Sequence, residues 1–401
     1  MLAPLSLAQP LSFPNRPLTD RFPLPAGKDG RLTILHAEPL PDFGGLHADP
    51  NLVHAKALMA LMGVNSDGLA VANPIAPPPT FGAAADGDGD RNMILGSGVF
   101  VSPSDSLAVM AAHLGAAVPW FRRAGGVKAI ARSMPTSRAV DAVAAARGIE
   151  LFVVPTGWKY FGNLMDQRNL VPLLCGEESF GTSSDHIREK DGLWAVLAWL
   201  SILAEANKNV PVKPVYQSSE LVGVDAILTQ HWQTYGRHYY ARYDYEDVPQ
   251  PAGKSVLDLL AAATDGTDPA AWAALSGTAK EHGAVLNQSS SGMFAYHDHT
   301  DGSTATNQGI QLFLRLEPSS VVGPEPAECR AVFRLSGTSV GGATVRMYLE
   351  RFAPPGLAAG QPAAAGLDLH PRRALEPLAA AATVLARLEK LLGKAAPDLV
   401  T

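Results

Sequence analysis

Strand-like and helix-like segments alternate through the middle of the chain, and this alternation limits the possible folds more than any other feature. The predicted segments are, in order, a strand at Val127–Ala131, a helix at Ser137–Arg147, a strand at Ile149–Val154, a helix at Gly157–Asp166, a strand at Leu170–Cys175 and a helix at Asp191–Ala206. Strands that alternate with helices at these lengths predict a mostly parallel, doubly wound sheet. The last helix is apolar on nearly every side, which predicts that it is buried.

The chain beyond Leu221 has a different pattern. A helix is predicted at Val224–Tyr235, and a mixed region follows it. Three strand candidates and a last helix come next, at Gln311–Leu316, Arg330–Leu335, Thr344–Phe352 and around Ala374–Leu392. Strands grouped apart from helices predict an α+β domain. We therefore expect an α/β protein with doubly wound, mixed or parallel sheets and an α+β domain at its C-terminus. The expected division is a disordered leader over 1–31, a partial α/β domain over 32–104, a second α/β domain over 105–222 and the α+β domain over 223–401.

Composition excludes several classes of protein. A formal net charge of −6 argues against nucleic-acid binding, which needs a basic face. The longest apolar run, Leu193–Leu203, is shorter than the ~20 residues that span a bilayer. Two cysteines, Cys175 and Cys329, argue against a disulfide framework and favour a reducing compartment. We therefore expect the cytoplasm, and the leader, which is poor in acids, keeps a plastid open as the alternative.

The first loop whose residues could bind a metal or a ligand is Asp86-Gly87-Asp88-Gly89-Asp90-Arg91. Its carboxylates occupy every second position, and the two glycines let the backbone turn so that all three converge on one ion. Oxygen-only ligands favour Mg²⁺, Mn²⁺ or Ca²⁺, but an EF-hand needs Gly and Glu where this loop has Arg91 and Ser97. An arginine directly after the acids indicates that a phosphate approaches the ion. The alternative is a solvated acidic turn.

A second loop, Gly-Glu-Glu-Ser-Phe-Gly at 176–181, follows a strand that we expect to be buried. Open α/β folds bind ligands at the carboxyl ends of such strands. Glu177, Glu178 and Ser179 suit hydrogen bonding to sugar hydroxyls, whereas a glycosidase needs two carboxyls that face each other across a bond. Lys190, farther along, is a candidate general acid or phosphate clamp. The alternatives are an ordinary polar loop and, for Lys190, a solvated charge before a helix.

The third loop runs from Arg334 to Arg346 between two strand candidates. Its small residues expose successive backbone N–H groups that form a concave anion-binding nest. Ser336, Thr338 and Ser339 add hydroxyl donors, and the two arginines add charge. The loop has neither the lysine nor the strand–loop–helix setting of a nucleotide-binding Walker loop, so it favours a sugar phosphate. The alternative is a glycine-rich hairpin turn.

In this order the three loops resemble the α-phosphoglucomutase branch of the α-D-phosphohexomutase family. The resemblance covers about residues 39–401 and is carried, beside the Arg334–Arg346 loop, by Asp86–Leu95, Arg132–Ser137, Pro155–Asp166 and Cys175–Leu203. It implies domains arranged around one cleft, with a C-terminal domain that is TATA-box-binding-protein-like. It also implies a monomer that acts on glucose phosphates. The implied reaction interconverts glucose 1-phosphate and glucose 6-phosphate through glucose 1,6-bisphosphate.

Carried over residue by residue, the resemblance assigns a role to each loop. Lys190 would aid proton transfer, and Arg91 would lie beside the transferred phosphoryl group. The implied ligands are Asp86, Asp88 and Asp90 for Mg²⁺, with Asp90 also close to substrate; Thr156, Gly157, Glu177 and Ser179 for the sugar; and Arg334, Ser336, Thr338 and Arg346 for the phosphate that is not reacting.

Two features depart from the family pattern. Ser339-Val340-Gly341 stands where the family usually has Gly-Ser-Ala. The family's Thr-Ala-Ser-His-Asn-Pro signature, which carries the phosphorylated serine, does not occur in the sequence. We therefore expect a truncated mutase with little or no turnover. A non-catalytic sugar-phosphate-binding or regulatory fragment stays open, as does a mutase for another sugar phosphate.

Overall fold

The computed structural model describes residues 12–13, 16–17, 33–74, 77–211, 220–318, 326–337, 342–355 and 371–401. Most of the predicted leader over 1–31 therefore lies outside the described residues. By their packing, the described residues form an N-terminal region (33–101), a middle region (103–235) and a C-terminal region (237–401).

A small antiparallel sheet in strand order β3-β4-β5 dominates the N-terminal region. The elements up to this point are the paired strands β1 (Ser12–Phe13) and β2 (Arg16–Pro17), the helix α1 (Lys56–Leu61), and the strands β3 (Phe81–Ala85), β4 (Asn92–Gly96) and β5 (Val99–Val101). The strand β4 is buried over its whole length because its alternate side chains point to two different cores. Met93 and Leu95 pack with Met59 and Met62, while Ile94 joins the core of the middle region. This strand therefore joins the loop over 86–91, which we name the acid loop, to the rest of the molecule.

The middle region contains a four-stranded sheet in the order β7-β6-β8-β9, with β6 parallel to β7 and β8. Its strands are β6 (Ala129–Ser133), β7 (Glu150–Val154), β8 (Leu173–Gly176) and β9 (Thr182–Ser184). Its helices are α2 (Pro103–Ala117), α3 (Pro119–Arg123), α4 (Ala139–Arg147), α5 (Trp158–Met165), α6 (Gly192–Ala206) and α7 (Val224–Tyr235). Side chains of α2 and α4 cover one face of the sheet and those of α5 cover the other. The predicted doubly wound α/β fold is confirmed.

Local sequence determines where α2 begins. Ser102 has extended backbone and its hydroxyl accepts a hydrogen bond from the Asp105 amide at 3.1 Å, while Pro103 occupies the first helical position. Both are preferred choices at a helix N-terminus. The helix α7 lies within the predicted C-terminal domain over 223–401, whereas its buried side chains pack in the core of the middle region.

The C-terminal region is built on a six-stranded antiparallel sheet in the order β11-β14-β15-β16-β10-β17. The strands of this sheet are β10 (Arg237–Val248), β11 (Ala284–Met293), β14 (Ile310–Leu316), β15 (Ala327–Ser336), β16 (Ala343–Ala353) and β17 (Leu399–Val400). The short strands β12 (Tyr296–His297) and β13 (Thr304–Ala305) form a separate two-stranded sheet. Its helices are α8 (Gln250–Thr264), α9 (Pro269–Glu281), α10 (Pro371–Leu385) and α11 (Leu388–Leu392). The helices cover one face of the sheet and form a core with it, and part of the other face meets the middle region. The α+β prediction and its three strand candidates are confirmed, but the last predicted helix is divided at Arg387, whose φ is 49°.

The helix α6 departs from its prediction. Ala198, Trp199 and Ile202 are buried, but Leu193 and Leu197 on the opposite side are each 61% exposed. One layer of helix and sheet covers α6 within the described residues, so its second apolar side faces solvent. Periodicity alone does not reveal this, because it cannot show whether a neighbour covers each side. Among the described residues, no helix combines the length and apolar character that crossing a bilayer requires.

The two sides of α6 should respond differently to truncation. We expect Ile202→Ala to lower the free energy of unfolding by ~2–5 kcal/mol, because it opens a cavity in a packed core. Leu197→Ala should change it by less than ~0.5 kcal/mol, as is usual for an exposed position. Urea unfolding followed by fluorescence compares the two variants. Equal losses would show that the Leu197 side is covered in solution.

Candidate active site

The acid loop forms the turn between β3 and β4. Gly89 has a φ of 77°, a left-handed conformation that glycine adopts without strain. Asp86, Asp88 and Asp90 offer carboxylate oxygens that all lie within 4.8 Å of one another. The predicted convergence is present, and a set of three oxygen donors fits Mg²⁺.

Arg91 is held on two sides by carboxylates. Its Nε lies 2.6 Å from Asp86 Oδ2, and its NH1 lies 2.8 Å from Asp49 Oδ1. Burial alone would raise the pKa of Asp86, but the hydrogen bonds from the backbone and side chain of Arg91 outweigh burial and lower it. Sequence reasoning missed Asp49, because it lies 42 positions before Arg91 and outside the three loops.

Lys190 connects the acid loop with the loop over 176–181, which we name the sugar loop. Its Nζ lies 2.8 Å from Asp90 Oδ2. Burial alone would lower the pKa of Lys190, but Asp90 outweighs burial and raises it. The side chain passes close to Gly181, where a Cβ atom would lie 2.6 Å from Lys190 Cδ. The glycine at 181 therefore leaves the space through which the lysine reaches Asp90.

Backbone contacts join the acid loop and the sugar loop directly. The Asn92 amide donates to the Phe180 carbonyl at 2.9 Å, and Arg91 forms an isolated antiparallel bridge with Gly181. The Gly192 amide, at the start of α6, donates to the Gly89 carbonyl at 3.1 Å. A helix N-terminus carries partial positive charge, so α6 adds to the field that favours anions here. The structure thus brings Asp86, Asp88, Asp90, Arg91 and Lys190 together.

The sugar loop buries two adjacent carboxylates with different partners. Glu178 Oε2 accepts from Ser133 Oγ at 2.9 Å, so this side chain is tied to the middle region. Glu177 Oε1 accepts from the Gly157 amide at 3.3 Å. Burial, together with the nearby charge of Glu178, raises the pKa of Glu177 to about 7. The different surroundings suit Glu178 to a structural role and Glu177 to contact with a ligand.

The other predicted sugar contacts lie on the same side. Gly157 has a φ of 129° and precedes α5, and its amide reaches Glu177. The hydroxyl of Thr156 is buried and has no hydrogen-bond partner in the part of the chain that the structure describes. An unsatisfied buried hydroxyl is uncommon and indicates a site that a ligand or water completes. Ser179 is half-buried at the tip of the loop.

The hairpin of β15 and β16 carries the predicted phosphate contacts. Arg334 lies opposite Arg346, and Ser336 lies opposite Thr344. Arg334 NH1 donates to the Tyr348 hydroxyl at 3.3 Å. The charge of Arg334 is close enough to Glu177 to oppose the rise in its pKa, which indicates that the hairpin and the sugar loop face one another. Thr338 lies outside the described residues.

A third arginine on this face was missed. Arg242 of β10 lies opposite Tyr348, one row from Arg346, and its Nε is 3.0 Å from Asp244 Oδ1. Asp244 Oδ2 in turn lies 3.8 Å from Arg346 Nε. The strand β10 was itself missed, and the alternation of Arg242 and Asp244 with Tyr243 and Tyr245 was the available signal.

Comparison with known proteins gives consistent similarities. Residues 103–218 match the model "Phosphoglucomutase/phosphomannomutase, alpha/beta/alpha domain III", and residues 237–398 match "Phosphoglucomutase-1, C-terminal domain". The chain is 46% identical over 369 residues to the probable cytoplasmic phosphoglucomutase 2 of Arabidopsis thaliana. It is 44% identical over 370 residues to the cytoplasmic phosphoglucomutase of Mesembryanthemum crystallinum. Each match covers 92% of this chain but 57% of the relative, so the chain spans little more than half of these proteins.

A solved structure is similar as well. It is the open form of the exocytosis-sensitive phosphoprotein pp63/parafusin, a phosphoglucomutase from Paramecium. The TM-score is 0.69 and the sequence identity is 39%, over 92% of this chain and 55% of that one.

The raised pKa of Glu177 predicts a pH-dependent stability. The pKa of Glu177 is about 7 in the folded protein, against its ordinary 4.5. From pH 4.5 to 7 the folded protein therefore binds more protons at this carboxyl than the unfolded chain does. The free energy of unfolding consequently falls as the pH rises through this range. Glu177→Gln removes this penalty, so its advantage over the parent chain should be about 2 kcal/mol larger at pH 8 than at pH 5. Urea unfolding at both pH values measures the difference. Glu328→Gln, at an exposed position, is the control, and an advantage of Glu177→Gln that does not change with pH would contradict the prediction.

Proposed function

Because the chain belongs to the phosphoglucomutase family of phosphohexomutases, we propose that it binds glucose phosphates and serves the interconversion of glucose 1-phosphate and glucose 6-phosphate. The observation that carries the proposal is the contact between Lys190 and Asp90 at 2.8 Å. It joins a carboxylate triad suited to a metal with a loop suited to a sugar. The reaction would pass through glucose 1,6-bisphosphate, whose two phosphate ends meet the acid loop in turn.

At the acid loop, Asp86, Asp88 and Asp90 would hold Mg²⁺, which when bound would neutralise charge on a phosphoryl group. Arg91, oriented by Asp86 and Asp49, would bind oxygens of the transferred phosphoryl group. Lys190 would hold or deliver a proton at the sugar oxygen that gains or loses the phosphoryl group.

At the other end, the ligand contacts would divide between sugar and phosphate. Glu177 and Ser179 would bond sugar hydroxyls beside Thr156 and Gly157. The phosphate that is not reacting would be bound by Arg334, Ser336, Thr338 and Arg346. Two arginines opposite one another on neighbouring strands can grip one phosphate from two sides. We further propose a cytoplasmic monomer, and the cytoplasmic names of the relatives support the compartment.

Metal binding should depend on the acid loop. We expect Asp88→Asn to weaken Mg²⁺ binding at least tenfold, because it removes one of three anionic ligands. Isothermal titration with Mg²⁺ measures the loss. Asp258→Asn, which removes an exposed carboxylate paired with Lys254 on α8, is the control. Unchanged Mg²⁺ affinity in Asp88→Asn would place the metal elsewhere.

A second candidate function is binding of sugar phosphate without turnover. The buried hydroxyl of Thr156 favours it, because this hydroxyl has no hydrogen-bond partner among the described residues and a bound ligand would complete it without any chemical step. A coupled assay that detects glucose 6-phosphate formed from glucose 1-phosphate and catalytic glucose 1,6-bisphosphate separates the two. If the chain serves the interconversion, we expect turnover together with binding of the bisphosphate, and for the second function we expect binding alone. Turnover at the level of a full-length relative would refute the binding-only function, and absence of binding would refute both.

A further inference from the structure

Side chains of the C-terminal region donate hydrogen bonds to the backbone carbonyls of the loop over 133–138. Arg330 NH1 donates to the Met134 carbonyl at 2.8 Å, and Arg330 NH2 donates to the Thr136 carbonyl at 2.7 Å. Between them, the Tyr240 hydroxyl donates to the Pro135 carbonyl at 2.9 Å. Three successive carbonyls of the middle region are therefore held by side chains from β15 and β10.

Glu350 completes this contact from β16. Its Oε2 accepts from Arg330 Nε at 2.9 Å, and its Oε1 accepts from the Arg138 amide at 2.8 Å. His238 Nδ1 lies 2.7 Å from the same oxygen. Arg330 and Glu350 are each 1% exposed. Burial alone would raise the pKa of Glu350, but Arg330 and His238 hold it well below its usual range, so the pair is ionic. We name Arg330, Glu350 and the loop over 133–138 the inter-region clamp.

The same loop holds the sugar loop on its other side. The Glu178 amide donates to Thr136 Oγ1 at 2.9 Å, and Glu178 Oε2 accepts from Ser133 Oγ at 2.9 Å. Ser133 Oγ and Thr136 Oγ1 are 2.6 Å apart. The residue next to Glu178 is Glu177, the candidate sugar ligand. A continuous set of hydrogen bonds therefore runs from Arg330 to the sugar loop.

The clamp also has a fixed position relative to the β15–β16 hairpin, which we name the phosphate hairpin. We name Arg334 and Arg346 on this hairpin the phosphate arginines. Arg330 lies opposite Glu350 and Arg334 lies opposite Arg346, on the same face of the same two strands. Four residues along a strand span ~13 Å. The sheet therefore sets the distance from the clamp to the arginines, and the clamp sets the distance from the sheet to the sugar loop.

We propose that Arg330 and Glu350 are positioning residues that set the spacing between the sugar loop and the phosphate arginines, and with it the fit of a sugar bearing a phosphate at each end. The inference rests on the proposed function, because it assigns both loops to one ligand. An arginine suits this position because each of its three guanidinium nitrogens donates to a different acceptor, namely Glu350 and the Met134 and Thr136 carbonyls, whereas a lysine has one nitrogen at a single point.

The test separates positioning from stability. Arg330→Met leaves Glu350 buried without its main partner, so the melting temperature should fall. Arg330→Met/Glu350→Gln removes both charges and should recover much of that melting temperature. We expect the double variant still to bind glucose 1,6-bisphosphate at least tenfold more weakly than the parent chain, as measured by titration calorimetry. Affinity equal to the parent in the recovered double variant would overturn the proposal.

Two further variants keep the outcome decisive. Arg330→Lys retains the charge but not the fork, and serves if the double variant does not fold; it should also bind at least tenfold more weakly. Arg351→Met is the control on the neighbouring strand β16, where Arg351 follows Glu350, points to the opposite face and bonds the Ala374 carbonyl at 2.9 Å. It should lower the melting temperature and leave the affinity unchanged. Loss of affinity in proportion to stability across all variants would show a merely structural role.

A readout without ligand covers failure of the proposed function. If the parent chain does not bind the bisphosphate, the proposed function is wrong, and hydrogen exchange then tests the clamp alone. The Glu178 amide, which donates to Thr136, should exchange at least tenfold faster in Arg330→Lys than in Arg351→Met. Equal exchange rates in the two variants would show that the clamp does not position the sugar loop.

Discussion

A charge removed from water must find partners for all of its hydrogen-bonding capacity, and Arg330 with Glu350 meets this demand between the two largest parts of the molecule. The demand works in both directions. The sheet buries this pair against the carbonyls of the loop over 133–138, and two of those carbonyls also accept longer hydrogen bonds, at 3.3 and 3.4 Å, from Arg132 of β6. The docking of the C-terminal region on the middle region is therefore specified by direction and distance as well as by apolar area.

The acid loop shows a related solution at the surface of the site. Three carboxylates within 4.8 Å of one another repel, yet Arg91 and Lys190 each neutralise one of them. The three carboxylates therefore stay close together without a bound ion, because the side chains of Arg91 and Lys190 supply the positive charge that their proximity favours. Binding of an ion or a phosphate would exchange these contacts and would not need to create the shape.

Sequence reasoning succeeded where the chemistry is written in neighbouring residues. The acid loop, the sugar loop and the β15–β16 hairpin can each be recognised from the residue types within about a dozen consecutive positions. The alternation of strands and helices likewise indicated the doubly wound sheet. It failed where a role depends on distant residues. Asp49 acts through Arg91, which lies 42 positions away, and Glu350 reaches the Arg138 amide across 212. The strand β10 was missed because charged and tyrosine side chains occupy it, and the exposed side of α6 because a helix pattern does not name its neighbours. The roles of the site residues, Thr338 included, and the domain limits stay predictions.

Gly181 gives this site a dependence between positions that no single substitution would reveal. A side chain at 181 would occupy the space through which Lys190 passes, so its effect would fall on the charge partner of Asp90 and not on its own backbone. Positions 181, 190 and 90 therefore form an epistatic set: what is tolerated at one depends on the residues at the other two. An evolutionary path that replaced the lysine by a shorter residue would free position 181 to vary, while a path that filled position 181 first would be closed as long as the lysine remained.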